Sequence, residues 1–340
     1  MVDLRAHQRM HAVSEDVTHQ PEHELGSEAM DAEEPPNDKF ILLLPHEIKG
    51  FAFNDKKWKT LLVDRIKDIE WNDKAFDLLV MQHDKKELIK ALVTVHTAST
   101  KATDIIEGKG NALIILLHGG PGTGKTLTAE SVAELTRKPL YRVTCGDIGT
   151  NAEEVEKYLD AVLLIGTIWG CVVLLDEADV FLEERRETDL ERNALVSVFL
   201  RALEYYDGIL ILTSNRVGTF DGAFKSRFQL AIHYPALGLH DRYEIWHNFI
   251  KGLSKTMPEA NIDELKSKIG DLATVNLNGR QIRNAVKTAV QLAQFRLERL
   301  QYKHFERVIK VVEDFEQHLD TSRGFSDADW ACSQGLRPEQ

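Results

Sequence analysis

The residues best suited to chemistry begin with a glycine-rich segment that follows an apolar run. It reads Gly119, Gly120, Pro121, Gly122, Thr123, Gly124, Lys125 and Thr126. This fits the pattern G-x-x-x-x-G-K-[ST], in which glycines let backbone N–H groups turn towards a phosphate and a helix N-terminus adds its positive dipole end. Lys125 is predicted to reach the terminal phosphates and Thr126 to bind Mg²⁺, with the nucleotide site extending to Leu127. The alternative is a glycine-rich turn with an incidental lysine, and the strand before and helix after disfavour it.

An acidic pair, Asp176 and Glu177, directly follows the apolar run CVVLL. Packing explains such a pair poorly. Asp176 is predicted to hold Mg²⁺, mostly through water, and Glu177 to polarise an attacking water as general base. The alternative, that carboxylates favour a helix N-terminus, remains adequate for Asp179 and for Glu183 and Glu184.

Three more polar residues extend the candidate site. Asn215 ends the next strand, where a neutral amide can orient water; taken alone, it would be read as a turn residue. Arg227, in FDGAFKSRF, can stabilise the charge of a phosphoryl-transfer transition state when it comes from outside the pocket. The alternative is that it is an ordinary surface arginine. Arg280 opens a helix in NLNGRQIRNAV and can touch the γ-phosphate, and Arg283 is the competing candidate.

The elements that must position these residues alternate between strand and helix. Strands are predicted at ALIILL, LYRVTC, CVVLL, GILILTS and FQLAIHY, with helices at KTLTAESVAELT, AEEVEKYLDAVLLIGTIW and LERNALVSVFLRALEYY. Continuous apolar strands in such alternation predict an α/β fold, a parallel sheet with helices on both faces. After Pro235 only helices are predicted, at DRYEIWHNFI, NIDELKSKIG, GRQIRNAVKTAVQLAQFRLERL and KHFERVIKVVEDFEQ, which indicates a small all-helical lid domain.

Composition shifts divide the chain into five predicted parts. They are a disordered acidic tail (1–38), an N-terminal remnant or linker (39–110), the α/β nucleotide-binding domain (111–235), the helical lid (236–320) and a flexible C-terminal tail (321–340). Within 39–110, FILLLPHEIKGFAF predicts a strand pair. KKELIKALVTVH predicts a helix with Leu88, Leu92 and Val95 at helical spacing.

The net charge and the cysteines bear on what the protein binds and on the compartment in which it acts. The net charge of −12 argues against binding to nucleic acid, which requires a basic surface. Cys145, Cys171 and Cys332 form no CxxC pair, which is typical of a reducing compartment and predicts an intracellular protein, cytoplasmic or nuclear. The first residues lack the apolar core of a secretory signal. The longest apolar stretch, AVLLIGTIWGCVVLL, is too short to span a membrane comfortably.

In their order, and with the helical lid behind them, these motifs resemble those of the AAA ATPases. The five stretches LLHGGPGTGKTLTAESVAE, VLLDEADVFLEER, RNALVSVFLRALEYYDGILILTSNR, FDGAFKSRF and LNGRQIRNAV look most like those of fungal AAA proteins with one ATPase domain behind a poorly characterised N-terminal region. The likeness runs from about Phe40 to Phe315 and implies a P-loop NTPase fold that uses ATP and Mg²⁺. It also implies a homo-oligomeric ring, expected to be a hexamer, with ATP between neighbouring subunits. On that analogy Arg227 acts on the neighbour's nucleotide, Asn215 is the first sensor and Arg280 the second.

Some positions depart from the family pattern. Gly120 stands where proline is usual. Many relatives have two arginines that act on the neighbouring subunit's nucleotide, whereas here Arg227 is the one convincing candidate. Ile148 is the expected tip of the central-pore loop where an aromatic residue is usual, which puts peptide threading in doubt.

The preferred function is ATP-driven remodelling of a protein substrate of unknown identity. A nucleotide-dependent scaffold with slow or no hydrolysis is the alternative, and a water-activating Glu177 disfavours a small-molecule kinase.

Overall fold

The computed structural model describes residues 1–3, 6–7, 32, 35, 37–98, 112–148, 151–182, 189–216 and 220–323. Most of the predicted N-terminal tail lies outside these ranges, as do Glu183, Glu184 and everything from residue 324 onwards. The chain divides into two compact units, Met1–Glu70 and Trp71–Gln340, and each is described by itself. The domain boundaries drawn from the sequence stay a prediction.

The first unit contains a short helix, α1 (Asp38–Leu43), and an antiparallel hairpin of β1 (Glu47–Ala52) and β2 (Lys57–Leu62). The prediction of a strand pair within residues 40–53 is therefore wrong in position, because only β1 falls there and its partner comes later. Asn37 explains the helix, since its side chain accepts a 2.9 Å hydrogen bond from the N–H of Phe40 and caps the first turn.

The second unit is built on a parallel sheet of five strands in the order β4-β5-β6-β3-β7. The strands are β3 (Leu113–Gly119), β4 (Leu140–Thr144), β5 (Val172–Asp176), β6 (Ile209–Ser214) and β7 (Leu230–Tyr234). Each overlaps a predicted strand, so the α/β fold is confirmed. Since all strands are parallel, their carboxyl ends lie along one edge, where the candidate site residues follow.

Helices cover both faces of this sheet. Helices α2 (His83–Ala98) and α3 (Lys125–Thr136) share one apolar core with β3, β5, β6 and β7. On α2 the buried residues are Ile89 and Val93, whereas Leu88 and Val95 of the predicted stripe are largely exposed. The opposite face carries α5 (Ala152–Ile168), which packs on β5 and on α7 (Leu190–Glu204).

Short helices connect these elements, namely α4 (Cys145–Ile148), α6 (Asp179–Leu182) and α8 (Gly222–Lys225). The lid follows as α9 (Leu239–Thr256), α10 (Ile262–Ser267), α11 (Ile269–Thr274), α12 (Gly279–Phe295) and α13 (Tyr302–Arg323). It has its own core around the fully buried Trp246 and Phe305, which confirms the predicted helical lid. Helix α12 ends earlier than predicted because Leu297 takes a left-handed conformation, with φ of +55°. Of the helices in the described ranges, none has the length and apolarity needed to span a bilayer.

Candidate functional site

The glycine-rich segment forms the turn between β3 and α3, and three of its glycines have positive φ. The φ angles are +146° at Gly119, +72° at Gly122 and +106° at Gly124, values that other residues rarely adopt. Gly119 is also required sterically, since a Cβ there would lie 2.1 Å from the carbonyl oxygen of Tyr234. Gly124 is the left-handed N-cap of α3 and leaves the helix N-terminus open to a ligand.

Lys125 is buried beneath this loop, with 6% of its surface exposed. Its ammonium donates to the carbonyl oxygens of Gly119 at 2.9 Å and Gly120 at 2.7 Å. The hydroxyl of Thr123 also donates to the Gly120 carbonyl at 2.8 Å. A fixed cation is therefore held inside a loop of glycines at a helix N-terminus, the arrangement that binds phosphate.

The first turn of α3 is fastened to the last residue of β7. The hydroxyls of Thr128 and Tyr234 lie 2.7 Å apart in a hydrogen bond, and both residues are buried. Burial raises the pKa of Tyr234 to about 12, although the hydrogen bond to Thr128 acts in the opposite direction. Tyr234 therefore fixes the phosphate loop twice, through its hydroxyl and through its carbonyl packed against Gly119.

Asp176, at the end of β5, accepts hydrogen bonds from three side chains. Its Oδ1 accepts from Thr213 at 2.6 Å and from Thr126 at 3.2 Å, and its Oδ2 accepts from Arg142 at 2.5 Å. The carboxylate is nearly buried, whereas the side chain of Arg142 is half exposed. The hydroxyl of Thr126 and the carboxylate of Asp176 give hard oxygen ligands, and these fit Mg²⁺.

Glu177 is held by the end of the neighbouring strand β6. It has a φ of +59°, a strained value for a residue with a side chain, and its side chain is exposed. Its N–H donates to Thr213 Oγ1 at 2.9 Å, and the N–H of Ala178 donates to the Thr213 carbonyl at 2.9 Å. Asp179 accepts a hydrogen bond from Ser214. Backbone strain at a carboxylate residue whose backbone is fixed by hydrogen bonds to Thr213, from its own N–H and from that of the next residue, is typical of a functional position.

Asn215 lies at the same edge of the sheet. It directly follows Ser214, which pairs in register with His118 of β3, one residue before the glycine-rich loop. Asn215 is half-buried, and its neighbour Arg216 donates its N–H to Ser214 Oγ at 3.1 Å. The structure thus brings Asn215 to the edge that carries Asp176 and Lys125, while its role as a sensor stays a prediction.

Arg227 lies just after α8, on a turn anchored by aromatic packing. Phe224 is fully buried between Phe199 and Phe228, with ring centroids 5.8 and 5.9 Å away. The guanidinium of Arg227 donates to the carbonyl of Ala223 at 3.0 Å. Over the described ranges no hydrogen bond joins Arg227 to the phosphate loop, and its role stays a prediction.

The lid meets the phosphate loop through the N-terminus of α12. The N–H of Gly279 donates to the carbonyl oxygen of Gly122 at 2.9 Å. Asn278 caps α12, and its N–H and side chain bond reciprocally with Gln281. Arg280 and Arg283, which follow within the first turns, are both exposed, so the structure does not choose between them as second sensor.

His118 was not singled out from the sequence. Its Nδ1 is buried and has no hydrogen-bond partner among the described residues. Its ring lies 5.1 Å from that of His233 and 6.0 Å from that of Phe220. Burial lowers the pKa of His118, and the nearby His233 and Lys125 lower it further. These surroundings favour the neutral form of His118, the residue directly before the phosphate loop.

Sequence reasoning also missed Arg142, Thr213, Tyr234 and Asn278. Thr213 was within reach, because in the parallel pairing of CVVLLD with ILILTS Leu175 lies opposite Leu212, and Asp176 and Thr213 are the next residues along. Asn278 followed by Gln281 has the spacing of a capping box. Nothing in the sequence distinguishes Arg142 from any other charged residue on an edge strand.

Comparison with known proteins defines the class of protein. Residues 115–236 match the ATPase family associated with various cellular activities (AAA), and residues 237–327 match the fungal AAA+ ATPase lid domain. The two matches adjoin and together cover more than half of the chain. The chain therefore belongs to the AAA ATPase family and carries a lid of the fungal type.

Individual relatives are AAA proteins of several kinds. A 26S proteasome regulatory subunit homolog of Methanothermobacter marburgensis is 30% identical over 210 residues, which cover 58% of this chain and 54% of that protein. ATPase family AAA domain-containing protein 3-B of Xenopus laevis is 31% identical over 158 residues, covering 44% and 26%. The ESX-3 secretion system protein EccA3 of Mycobacterium leprae is 26% identical over 213 residues, covering 54% and 33%. The chain thus spans about half, or less, of the length of these relatives.

Proposed function

We propose that this protein hydrolyses ATP, with Mg²⁺, at the edge of the sheet formed by the phosphate loop and the acidic pair. The observation that carries the proposal is the 3.2 Å hydrogen bond between Thr126 Oγ1 and Asp176 Oδ1. It joins the two motifs in space, although they lie far apart in the sequence. A glycine-rich turn with an incidental lysine gives no reason for such a junction.

In this proposal the chain's own residues bind the nucleotide and direct a water molecule. The N–H groups of the loop and the ammonium of Lys125 bind the phosphates. Mg²⁺, held by Thr126 and Asp176, would neutralise charge on the phosphate oxygens. Glu177 accepts a proton as the water oxygen bonds to the γ-phosphorus and the bond to ADP breaks, and Asn215 orients that water.

Assembly completes the proposed site. We propose a homo-oligomeric ring, a hexamer by analogy with the family, in which Arg227 reaches the γ-phosphate bound to the neighbouring subunit. The names of two relatives refer to a proteasome and to a secretion system, which supports a protein substrate. We propose that the protein acts inside the cell, in the cytoplasm or nucleus, since Cys171 is a buried free thiol.

A second candidate function is a nucleotide-dependent scaffold with slow or no hydrolysis. One observation favours it. Asp176 already bonds to the guanidinium of Arg142 at 2.5 Å, so a metal ion would have to share or displace that partner. Slow metal binding would limit turnover without preventing nucleotide binding.

Phosphate release from the purified protein tests the proposal. Glu177→Gln should retain ATP binding and lose more than roughly nine-tenths of the turnover, because an amide cannot take up the proton. Lys125→Ala should lose fluorescent-ATP binding, because the only cation held inside the loop among the described residues is removed. Turnover that survives Glu177→Gln would mean that another residue is the base. Absence of turnover in the wild-type protein, with ATP binding intact, would favour the scaffold.

A further inference from the structure

We infer that Arg142 is a positioning residue that competes with Mg²⁺ for the carboxylate of Asp176. The inference rests on the proposed function, because it takes Asp176 to be a metal ligand. It adds to that function a built-in control of metal affinity, exerted from the edge strand β4.

Register on the sheet brings the two side chains together. In the parallel pair of β4 and β5, Arg142 lies opposite Leu174 and Thr144 opposite Asp176. Side chains alternate between the two faces of a strand, so Arg142 and Asp176 lie on the same face, two positions apart. An arginine is long enough to cover that offset, and its Nη2 reaches Asp176 Oδ2 at 2.5 Å.

Hydrogen bonding leaves little room for a second cation on this carboxylate. Oδ1 already accepts from Thr213 and Thr126, and Oδ2 accepts from Arg142. A divalent ion beside the guanidinium would meet like-charge repulsion in a nearly buried setting, where screening is weak. The longest of the three bonds, from Thr126, belongs to the other expected metal ligand, so metal binding would rearrange this same cluster.

The two partners differ in their freedom to move. The side chain of Asp176 is 8% exposed and is fixed by Thr213, whereas that of Arg142 is 50% exposed. A buried carboxylate without a counter-ion is costly, and Arg142 supplies that charge. Because it lies on an edge strand, Arg142 can turn into solvent and release Asp176 to the metal ion.

Manganese titration followed by electron paramagnetic resonance tests this inference on the full chain, without nucleotide and with ADP. Arg142→Met removes the competing charge, so Mn²⁺ should bind about three- to tenfold more tightly, the change expected when an ion pair no longer has to be broken. Arg142→Lys should stay near the wild type. Arg201→Met is the matched control, since it breaks an ion pair with Glu156 that involves neither the loop nor Asp176, and it should leave Mn²⁺ affinity unchanged.

Unchanged or weaker Mn²⁺ binding in Arg142→Met would overturn the inference, and Arg142 would then only protect the sheet edge. Arg142→Gln is a second neutral variant that can still donate a hydrogen bond, and it should also bind Mn²⁺ more tightly. Asp176→Asn separates this inference from the proposed function. If it leaves Mn²⁺ binding intact, the metal site itself is misplaced, whatever Arg142 does.

Discussion

The N–H of Gly279, at the start of lid helix α12, donates a 2.9 Å hydrogen bond to the carbonyl oxygen of Gly122 in the phosphate loop. The backbone of the lid therefore touches the loop directly. The contact is close, because a Cβ on Gly122 would lie 2.4 Å from Asn278 Oδ1. A displacement of the lid would therefore change the position of the phosphate loop.

Gly122→Ala should weaken both folding and nucleotide binding. Its left-handed φ alone costs about 1–2 kcal/mol for a residue with a Cβ, and the contact with Asn278 adds to that. Urea unfolding and fluorescent-ATP binding measure the two effects. Asn278→Ala should relieve part of the penalty, so the double variant should be less destabilised than the sum of the single variants.

Gly252→Ala is the control for this pair. Gly252 lies in α9, and apart from the adjacent helix backbone no described atom lies within 4 Å of the added Cβ, so the substitution should stabilise the protein by about 0.5–1 kcal/mol. Strict additivity of Gly122→Ala and Asn278→Ala would show that the lid does not cause the strain.

Thr213→Val should slow hydrolysis more than it weakens ATP binding. The hydroxyl donates to the Asp176 carboxylate and accepts from the backbone N–H of Glu177, so its removal disturbs that carboxylate and the Glu177 backbone without altering the phosphate loop. Loss of a hydrogen bond to a metal ligand typically lowers activity about 10- to 100-fold, and the effect should appear in kcat more than in KM. Steady-state phosphate release gives both parameters.

Thr167→Val is the matched control, because within the described residues its hydroxyl donates a single hydrogen bond, to the Leu163 carbonyl of its own helix α5. It should leave the kinetic parameters and the unfolding free energy nearly unchanged. Equal kcat values for Thr213→Val and the wild type would remove Thr213 from the site.

Much of this arrangement could be predicted from the sequence, because strand periodicity and motif spacing are local properties. The apolar runs before Lys125, Asp176 and Asn215 specify parallel strands, and parallel strands bring those residues to one edge. The helix α1 could not be predicted in the same way. Its apolar run FILLL suits a strand equally well, and a single capping side chain, Asn37, favours the helix.

A contact made by one long, flexible side chain could not be predicted from the sequence. The bond from Arg142 to Asp176 depends on a two-residue offset between neighbouring strands and on the direction of a flexible side chain. The choice between Arg280 and Arg283 stays open for a related reason. Both lie exposed in the first turns of α12, and only bound nucleotide would distinguish them.

Alkaline pH should weaken the attachment of α3 to β7. The pKa of Tyr234 is raised from an ordinary value of 10.0 to about 12, so its stabilising contribution is complete below pH 10 and is lost as pH rises towards 12. At pH 8 Tyr234→Phe should be about 1 kcal/mol less stable than the wild type, because the bond to Thr128 is lost. At pH 11 that difference should shrink by roughly 1 kcal/mol.

Urea unfolding of Tyr234→Phe and of the wild type at the two pH values gives the difference in unfolding free energy. The contributions of other buried tyrosines are the same in both proteins and cancel in that difference. Tyr205→Phe, at a largely exposed position, is the control for the removal of a tyrosine hydroxyl. A constant difference between Tyr234→Phe and the wild type would mean that Tyr234 ionises as freely in the folded as in the unfolded protein.

Hydrolysis of ATP at a site shared by two subunits can be tested by mixing two inactive variants. Arg227→Ala should keep ATP affinity and lose turnover by about 10³-fold, the size of effect that arginine fingers have elsewhere. Lys125→Ala keeps Arg227 but loses its own phosphate site. Phosphate release is measured for each variant alone and for the two after subunit exchange. Mixed rings should regain activity, since an intact Arg227 then faces a neighbour's intact loop. No recovery, with co-assembly demonstrated, would contradict the shared site.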